Sequence, residues 1–415
     1  MNNLVIICAI LLLVLLFLKV PVYIAVLSAS AVYFIGTPGM NLSIFAQKTI
    51  SGAEGLSLLA IPFFVCAGIF MNYTGVTKRI MNCCEVLTAR MPGGLAQVNI
   101  LLSTLMGGLS GSSLADAAMQ CKMLVPTMES KGYSKSFSTV ITAASGMVVP
   151  LIPPGVGLII YGCINNISIG KLFIAGIGPG IVLCVTLMIF THFLSKKRGY
   201  LPSRTTKIPV SEKIAAVRPA FLPLLLPIII IGGVRIGVFT ASEAGTVAIV
   251  YAVLLGLLYK ELTLKNVMQG CKETVTTTAS IMLIVAAATC FSWILTKEQI
   301  PQQFSQWMIS NIHNKYVFLI MVNIFLLIVG MFIEGNASMI VLAPLLHPVA
   351  MAYGIDDIHF AMVYIFNCTI GAFTPPMGTL MFVSCGITKC PTKDFIKEAV
   401  PFYILFAIDI IVLTY

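Results

Sequence analysis

Long apolar runs separated by short polar stretches dominate the chain. Residues 4–18, 173–194 and 317–332 are examples, and each run is long enough to cross or nearly cross the hydrocarbon core of a bilayer as a helix. No basic segment precedes the first run, and no small-residue cleavage site follows it before Lys19 and Pro21. We therefore expect residues 4–18 to form a retained membrane helix and not a signal peptide.

Composition agrees with a chain that folds in lipid. Hydrophobic residues make up 58% of the 415 residues, charged residues make up 10%, and the mean hydropathy is +1.00. Because soluble domains carry about 25% charged residues, a soluble fold could not hide this much apolar surface from water. The pattern predicts an all-α polytopic membrane protein.

Basic residues lie in the short loops between apolar runs, and the formal net charge is +10. When successive loops are assigned to alternate sides, most of the 25 Lys and Arg, Lys19 and Lys207 among them, fall on one side. Cytoplasmic loops carry such an excess. We therefore expect this side to be the cytoplasmic face of a bacterial inner membrane, and both chain ends to be periplasmic. The same distribution argues against nucleic-acid binding.

The sequence contains an internal repeat. Shifting it by 222 positions without a gap superimposes several landmarks: Gly108 on Gly330, Pro126 on Pro348, Gly132 on Gly354, Pro153-Pro154 on Pro375-Pro376, and Lys171-x-Phe173-Ile174 on Lys393-x-Phe395-Ile396. So many coincidences in one register indicate a duplication. We expect a first repeat over 1–195, a cytoplasmic linker over 196–218 and a second repeat over 219–415.

The charges of the loops predict that the two repeats are inverted across the membrane. Loops near the first hairpin region are basic, with Lys78, Arg79, Arg90, Lys131 and Lys135. The matching loops of the second repeat carry Lys315 against Asp356 and Asp357, a balance expected outside the cell. Inverted repeats with sites near the midplane are the architecture of many secondary transporters.

One segment in each repeat is a poor spanning helix. The first contains Gly107-Gly108-Leu109-Ser110-Gly111-Ser112-Ser113, and its flanking loops fall on the same side. Non-helical backbone at membrane depth is tolerated only where protein or a water-filled cavity satisfies it. We predict a re-entrant hairpin over about 98–127 with its tip at 111–113, and a partner over about 317–350 with its tip at 333–338. Next to them, 79–91 and 299–312 mix polar and apolar residues and are expected to be amphipathic arms.

A second segment in each repeat is interrupted by tandem prolines. Pro153-Pro154 and Pro375-Pro376 each remove two amide donors and clash with the preceding turn. We predict broken helices over about 138–165 and 360–386, whose breaks expose carbonyl oxygens and half-helix ends able to hold an ion or anion. A kink for packing is the alternative for one such break, but recurrence beside a hairpin tip in both repeats favours a binding site.

Other chemistry is not indicated by the sequence. The twelve cysteines form no Cys-x-x-Cys pair, the four histidines are scattered, and no phosphate-binding loop is present. An enzyme is therefore not expected. Glu334, at the second tip, is a costly acid in a membrane and a candidate site residue, with a solvated surface acid as the alternative. Asp116 has the alternative of capping the returning arm of the first hairpin.

The residues carry a family resemblance over nearly the whole chain. The motifs are Gly93-Gly94-Leu95-Ala96, Ser110-Gly111-Ser112-Ser113-x-Ala115-Asp116, Ile152-Pro153-Pro154, Tyr161-Gly162, Pro179-Gly180, Gln299-Ile300-Pro301, Gly354-Ile355-Asp356, His359-Phe360 and Thr374-Pro375-Pro376-x-Gly378. In combination they resemble the large permease subunit of tripartite ATP-independent periplasmic (TRAP) transporters.

The resemblance implies a sodium-driven, elevator-type importer of an organic anion, with a carboxylate as the expected substrate. It also implies two partners, a small membrane subunit and a soluble periplasmic substrate-binding protein. Carried over, a first sodium set comprises Ser110, Ser112, Val149, Ile152 and Pro154, and a second sodium set comprises Gly330, Glu334, Gly371, Thr374 and Pro376. The substrate positions would be Ser113, Gly155, Asn336 and Gly378. Val149 departs from the Gly that is frequent in the family, and Gly155 from Ser.

Three other functions are weighed against this interpretation. A self-sufficient sodium/dicarboxylate symporter of related fold typically carries a Ser-Asn-Thr motif at each tip, and neither tip here has it. A channel does not need inverted hairpins that close the path from both sides. A membrane-embedded enzyme needs a catalytic cluster, and the sequence offers none.

Overall fold

The computed structural model describes residues 3–18, 20–204, 206 and 208–415. Lys19 and Lys207, assigned above to the basic side, lie outside these described residues. The helices are α1 (Asn3–Phe17), α2 (Val22–Gly36), α3 (Leu42–Ser51), α4 (Ala60–Tyr73), α5 (Val76–Thr88), α6 (Gly94–Ser110), α7 (Ser113–Ser130), α8 (Lys135–Gly146), α9 (Val156–Asn165), α10 (Ile169–Lys197), α11 (Val210–Arg235), α12 (Ala241–Leu258), α13 (Leu264–Lys297), α14 (Ile300–Asn311), α15 (Lys315–Phe332), α16 (Gly335–Ala352), α17 (Asp357–Phe373), α18 (Thr379–Thr388) and α19 (Thr392–Thr414), with a short 3-10 helix at Leu56–Leu59.

Several of these helices can cross a membrane by length and composition. Among the described residues, six qualify: α10, α11, α12, α13, α15 and α16. The number rises to seven if α4 and α5, which meet at an angle of 69°, count as one bent span. The arms and half-helices α6, α9, α17 and α18 are apolar but shorter. The fold is therefore that of an all-helical, multi-pass membrane protein.

Helix boundaries recur at the offset found in the sequence. Helices α7 and α16 match residue for residue 222 positions apart, and α8 and α17 begin at Lys135 and Asp357, which are also 222 positions apart. The N-caps of α7 and α16 are Ser112 and Glu334 in the same register. Each side chain accepts a hydrogen bond from the N–H three residues later, which satisfies one of the free donors at a helix start.

The second half of each interrupted helix packs on the other repeat. Helix α9, after Pro153-Pro154, lies against α16, and α18, after Pro375-Pro376, lies against α7. Helices α6 and α15 lie against α8 and α17 of their own repeats. The two repeats therefore form one interlocked core. A smaller apolar cluster, which includes Phe34 and Ile294, joins α1 and α2 to α13.

The segment expected as a linker is partly helical and docked. Helix α10 ends at Lys197 and helix α11 begins at Val210, so both helices extend into the 196–218 stretch. The backbone N–H of Gly93 donates to the carbonyl of Tyr200 over 3.1 Å, and the Tyr200 ring stacks on Tyr133 with 4.3 Å between centroids. Arg198 forms an ion pair with Glu398 of α19 over 2.5 Å. This connection therefore holds the base of α6 and the α7–α8 turn.

Glycines permit the closest approach between helices in the second repeat. A methyl group added at Gly371 of α17 would lie 2.5 Å from Cα of Gly330 in α15, a separation that real side chains do not show. Small residues are the usual means by which membrane helices approach this closely. The contact between α15 and α17 therefore depends on the missing side chains at these two positions.

We expect Gly371→Ala to force α15 and α17 apart and to lower the free energy of unfolding by about 1–3 kcal/mol, the usual cost of overpacking. The measurement is the melting temperature of the purified protein in detergent without sodium. Gly178→Ala in α10 is the matched control, because no atom lies within 4 Å of an added methyl there. An unchanged melting temperature for Gly371→Ala would show that the two helices are not in tight contact.

Candidate functional site

A cavity of about 450 Å³ lies where the tips of the two helical hairpins meet. The α6–α7 tip contributes Ser110, Gly111, Ser112 and Ser113, and the α15–α16 tip contributes Glu334, Gly335 and Asn336. The wall also includes Pro150 and Val156 from the first break, and Ala372 and Thr379 from the borders of the second. Segments that are far apart in the sequence thus surround one space.

Tandem prolines release specific carbonyls at each break. In an α-helix the carbonyl of residue i accepts from the N–H of residue i+4, and proline has none. Val149 lies four positions before Pro153, and Gly371 lies four positions before Pro375. The Gly371 carbonyl instead accepts from the N–H of Thr374 over 3.0 Å. The carbonyls of Val149, three residues after the end of α8, and of Gly371, inside α17, therefore have no N–H donor four residues later, and both positions belong to the sodium sets.

The first tip lies directly on the first break. A methyl group added at Gly107 would lie 3.3 Å from the carbonyl oxygen of Val149, and one added at Gly111 would lie 2.9 Å from that of Pro154. The N–H of Val156, where α9 begins, donates to the Gly111 carbonyl over 3.4 Å. The Ser110 hydroxyl is buried and has no protein partner. The structure therefore brings the whole first sodium set into one region.

The second tip meets the second break through Gly330 and Gly371, whose backbones are in contact. Glu334 is partly buried, and its Oε2 accepts from the N–H of Ala337 over 3.1 Å. The Thr374 hydroxyl donates to the Ile370 carbonyl over 2.7 Å, which leaves its lone pairs available. Pro376 is exposed. Each set has two buried members, Val149 and Pro154 in the first and Gly330 and Gly371 in the second, and the exposed Pro376 is what distinguishes the second set.

The donor set at both breaks fits a hard monovalent cation such as Na⁺. Hard cations prefer oxygen ligands, and carbonyl, hydroxyl and carboxylate oxygens are what these segments present. The buried hydroxyl of Ser110 supports this fit, because a buried polar atom without a partner is costly unless a ligand or water satisfies it.

The four substrate positions divide into two groups. Ser113 and Asn336 line the cavity, whereas Gly155 and Gly378 lie behind the lining formed by their neighbours. A methyl group added at Gly155 would lie 2.2 Å from the carbonyl oxygen of Pro150, and one at Gly378 would lie 2.6 Å from that of Ala372. The Pro150 carbonyl therefore leaves no room for a side chain at position 155, and a serine there would require this turn to shift.

Asp116 does not cap α7, because Ser112 holds the N-cap position. The Asp116 side chain is 2% exposed and joins the two arms of the first hairpin. Its Oδ2 accepts from the hydroxyl of Ser103 over 2.7 Å and from the amide of Gln120 over 2.8 Å. The alternative of a capping role is therefore wrong, and this carboxyl group belongs to the packing between α6 and α7.

Sequence reasoning missed the wall opposite the tips. It is formed by Asn72 of α4 and by one face of α13 that carries Thr277, Ser280, Ile281 and Ile284. The spacing i, i+3, i+4, i+7 is that of a single helix face. The signal was present in the run Thr274-Val275-Thr276-Thr277-Thr278-Ala279-Ser280, a hydroxyl-rich stretch inside a long apolar helix.

The electrostatic character of the cavity comes from backbone dipoles and a single acid. Helices α7, α9, α16 and α18 all begin at its wall, and a helix start carries a partial positive charge and free N–H groups. Among the described lining residues, Glu334 is the one carboxylate, and none is a Lys, Arg or His. Such a cavity can hold an anion at the helix starts and a cation at the acid and freed carbonyls.

Comparisons with known proteins agree with this geometry. The family model for the DctM component of tripartite ATP-independent periplasmic transporters matches residues 9–415. The sialic acid TRAP transporter large permease protein SiaM of Vibrio cholerae is 40% identical over 399 residues, which cover 95% of this chain and 93% of that protein. The C4-dicarboxylate TRAP transporter large permease protein DctM of Pseudomonas aeruginosa is 36% identical over 371 residues, or 89% and 86% of the two chains.

Among solved structures, the YdaH transporter of Alcanivorax borkumensis has a similar fold. The two superpose with a TM-score of 0.65 at 13% identity, over 94% of this chain and 96% of that one. This likeness concerns the fold alone. The family match over nearly the whole sequence carries the assignment: the chain belongs to the TRAP transporter family as a large permease subunit, which mediates solute uptake and is not an enzyme.

Proposed function

We propose that this subunit imports an organic anion, with a carboxylate as the expected substrate, across the bacterial inner membrane by sodium-coupled elevator transport. The observation that carries the proposal is the meeting of both hairpin tips and four helix starts at one cavity. A site near the junction of two inverted repeats is the arrangement in which alternating access is achieved by moving one body against another. Both chain ends are placed in the periplasm by this proposal.

Sodium coupling is supported by the oxygen atoms at the two breaks. The first sodium set offers carbonyls released by Pro153-Pro154 and the unpartnered hydroxyl of Ser110. The second offers the Glu334 carboxylate beside carbonyls around Gly371. A cation at each break would add positive charge beside a cavity whose charged wall residue is the acidic Glu334. That charge would offset the cost of bringing an anionic substrate to the same space.

The interlocked core supports the elevator part of the proposal. Helices α9 and α18 each pack on the hairpin of the other repeat, so the tips and breaks can move together as one rigid body. The amphipathic helices α5 and α14 precede the two hairpins and would connect this body to the remaining helices. The guanidinium of Arg79 in α5 lies 3.7 Å from the centroid of the Tyr259 ring, which directly follows α12, and this contact is suited to holding one such arm.

Two partners complete the proposal, a small membrane subunit and a soluble periplasmic protein that delivers the substrate. We expect the purified chain alone in liposomes to show no uptake under a sodium gradient, and addition of both partners to restore it. The measurement is sodium-driven uptake of labelled organic acids. Robust uptake by the chain alone would favour the self-sufficient symporter.

Replacing the acid at the second tip should weaken sodium binding. Glu334→Gln keeps an oxygen that can cap α16 but removes the negative charge, and loss of a charge-assisted contact costs about 1.5–3 kcal/mol, or roughly ten- to a hundredfold in affinity. The sodium concentration for half-maximal uptake should rise accordingly, with normal assembly. Ser112→Ala is the matched control, because it removes the equivalent cap without a charge and should have the smaller effect. Unchanged sodium dependence in Glu334→Gln would place the second sodium set elsewhere.

Movement of the tips should be visible by cysteine labelling. In a background without reactive native cysteines such as the exposed Cys271, a cysteine at Ser113 should react from the cytoplasmic side in one state, and a cysteine at Asn336 from the periplasmic side in the other. Sodium and substrate should shift the balance between the two states. Labelling of both positions that never responds to sodium or substrate would contradict an elevator.

A further inference from the structure

The first arm of each hairpin is bonded to the broken helix of its own repeat through buried polar side chains. In the second repeat the amide nitrogen of Asn367 in α17 donates to Oδ1 of Asn323 in α15 over 2.8 Å. In the first repeat the hydroxyl of Ser145 in α8 donates to Oδ1 of Asn99 in α6 over 3.2 Å. We call these bonds the second and the first polar contact. All four residues are buried, so neither contact is a solvated surface interaction.

Both polar contacts lie shortly before a break. Asn367 precedes Gly371 by four residues, and Ser145 precedes Val149 by four residues, so the two contacts use corresponding positions of the broken helices. Four residues rise about 6 Å along an α-helix, which places the second polar contact one turn from Gly371. Each break is therefore preceded by a polar bond between the two elements that meet at it.

The position of the arm relative to the broken helix matters because the second sodium set draws on both elements. Gly330 and Glu334 belong to the α15–α16 hairpin, whereas Gly371 and Thr374 belong to the end of α17 and its C-cap. Sliding or rotation of α15 against α17 would change the separation of their oxygen atoms. The glycines permit the close approach of the two helices but have no side chain that fixes it. A binding site of this kind needs supporting hydrogen bonds from residues around it.

Apolar packing alone does not account for the second polar contact. Among the described residues, Oδ1 of Asn367 is buried without a hydrogen-bond partner, and such an atom costs free energy that an apolar side chain would not. A directional bond between buried polar groups, in contrast, specifies one register of two helices where apolar side chains allow several. The Asn323 amide also donates to the hydroxyl of Thr414 in α19 over 3.1 Å, which orients the Asn323 side chain.

We propose that the two polar contacts set the affinity for sodium, because each fixes a hairpin arm against a broken helix and so holds the oxygens of the adjacent sodium set in place. Asn323, Asn367, Asn99 and Ser145 are then positioning residues, which act through the sodium sets. They lie outside both sets and outside the lining of the cavity. This inference rests on the proposed sodium coupling and deepens it by naming residues that control it.

The test measures binding of radiolabelled Na⁺ to the purified complex of both membrane subunits, with choline chloride keeping the ionic strength constant. Asn367→Leu has a similar branched side chain but cannot donate to Asn323. Its sodium affinity should fall about three- to tenfold, the effect of one lost hydrogen bond. Asn99→Leu breaks the first polar contact and should also weaken sodium binding. The melting temperature without sodium is measured in parallel as the readout of stability.

The double variant Asn323→Leu/Asn367→Leu separates positioning from stability. An apolar pair leaves neither partner of the bond unpaired, so the melting temperature should recover relative to Asn367→Leu. Sodium affinity should stay low, because the apolar pair has no directional bond. Recovery of both the melting temperature and the sodium affinity would show that the contact serves stability alone, and this result overturns the proposal.

The matched control is Thr414→Val, which removes the other hydrogen bond of Asn323 and keeps the second polar contact. Its sodium affinity should equal that of the wild type, and a loss as large as in Asn367→Leu overturns the proposal. Wild-type affinity in both Asn367→Leu and Asn99→Leu also overturns it, while sodium coupling itself stands. A wild-type complex that binds no sodium instead refutes the proposed sodium coupling, and this inference with it.

Discussion

Backbone carbonyls that lose their helical partner inside a bilayer must be satisfied by protein, water or a ligand, and this requirement organises the chain. Each proline pair creates the problem at a defined place, since Val149 and Gly371 lie four residues before the first proline of their pair. In each repeat the first arm of a hairpin covers the break, and glycine at Gly107 or Gly330 lets it approach to backbone contact. The prolines therefore open each break, and the glycines let a hairpin arm cover it. The oxygen atoms that remain available at the covered breaks are the candidate ion ligands.

The breaks also explain why the two repeats pack against each other. A half-helix that restarts after a break, such as α9 or α18, needs an apolar partner for its sides, and it finds one on the returning arm of the other hairpin. Because each hairpin supports the other repeat's half-helix, the cavity between the tips belongs to both repeats.

Much of this architecture could be predicted from the sequence. Hydropathy and turn residues indicate local structure directly, and the 222-residue offset shows which segments correspond to one another. Ser112 and Glu334 correspond in this register, and the structure shows them as the N-caps of α7 and α16, a role for which the sequence also suggests Asp116. What sequence could not provide is contact between distant segments. The hydroxyl-rich run 274–280 marks a polar stretch of α13 but does not say which elements it faces. Nothing local indicates that Asp116 bonds Ser103 across the hairpin, or that Tyr200 docks on Tyr133. These facts depend on helix rotation and on packing over long sequence separations.

The two hairpins share a backbone frame at the 222-residue offset and differ in their polar groups. At the two caps an uncharged hydroxyl in the first repeat corresponds to a carboxylate in the second, although both accept a hydrogen bond from the third residue onward. One turn later Asp116 corresponds to Ser338, whose hydroxyl lies 3.2 Å from that of Tyr364. Each repeat thus carries one acid near its hairpin tip, but the first is buried between the arms and the second faces the cavity. The two tips are therefore alike in backbone geometry and unlike in electrostatics, because Glu334 lines the cavity whereas Asp116 is held between the arms of its own hairpin.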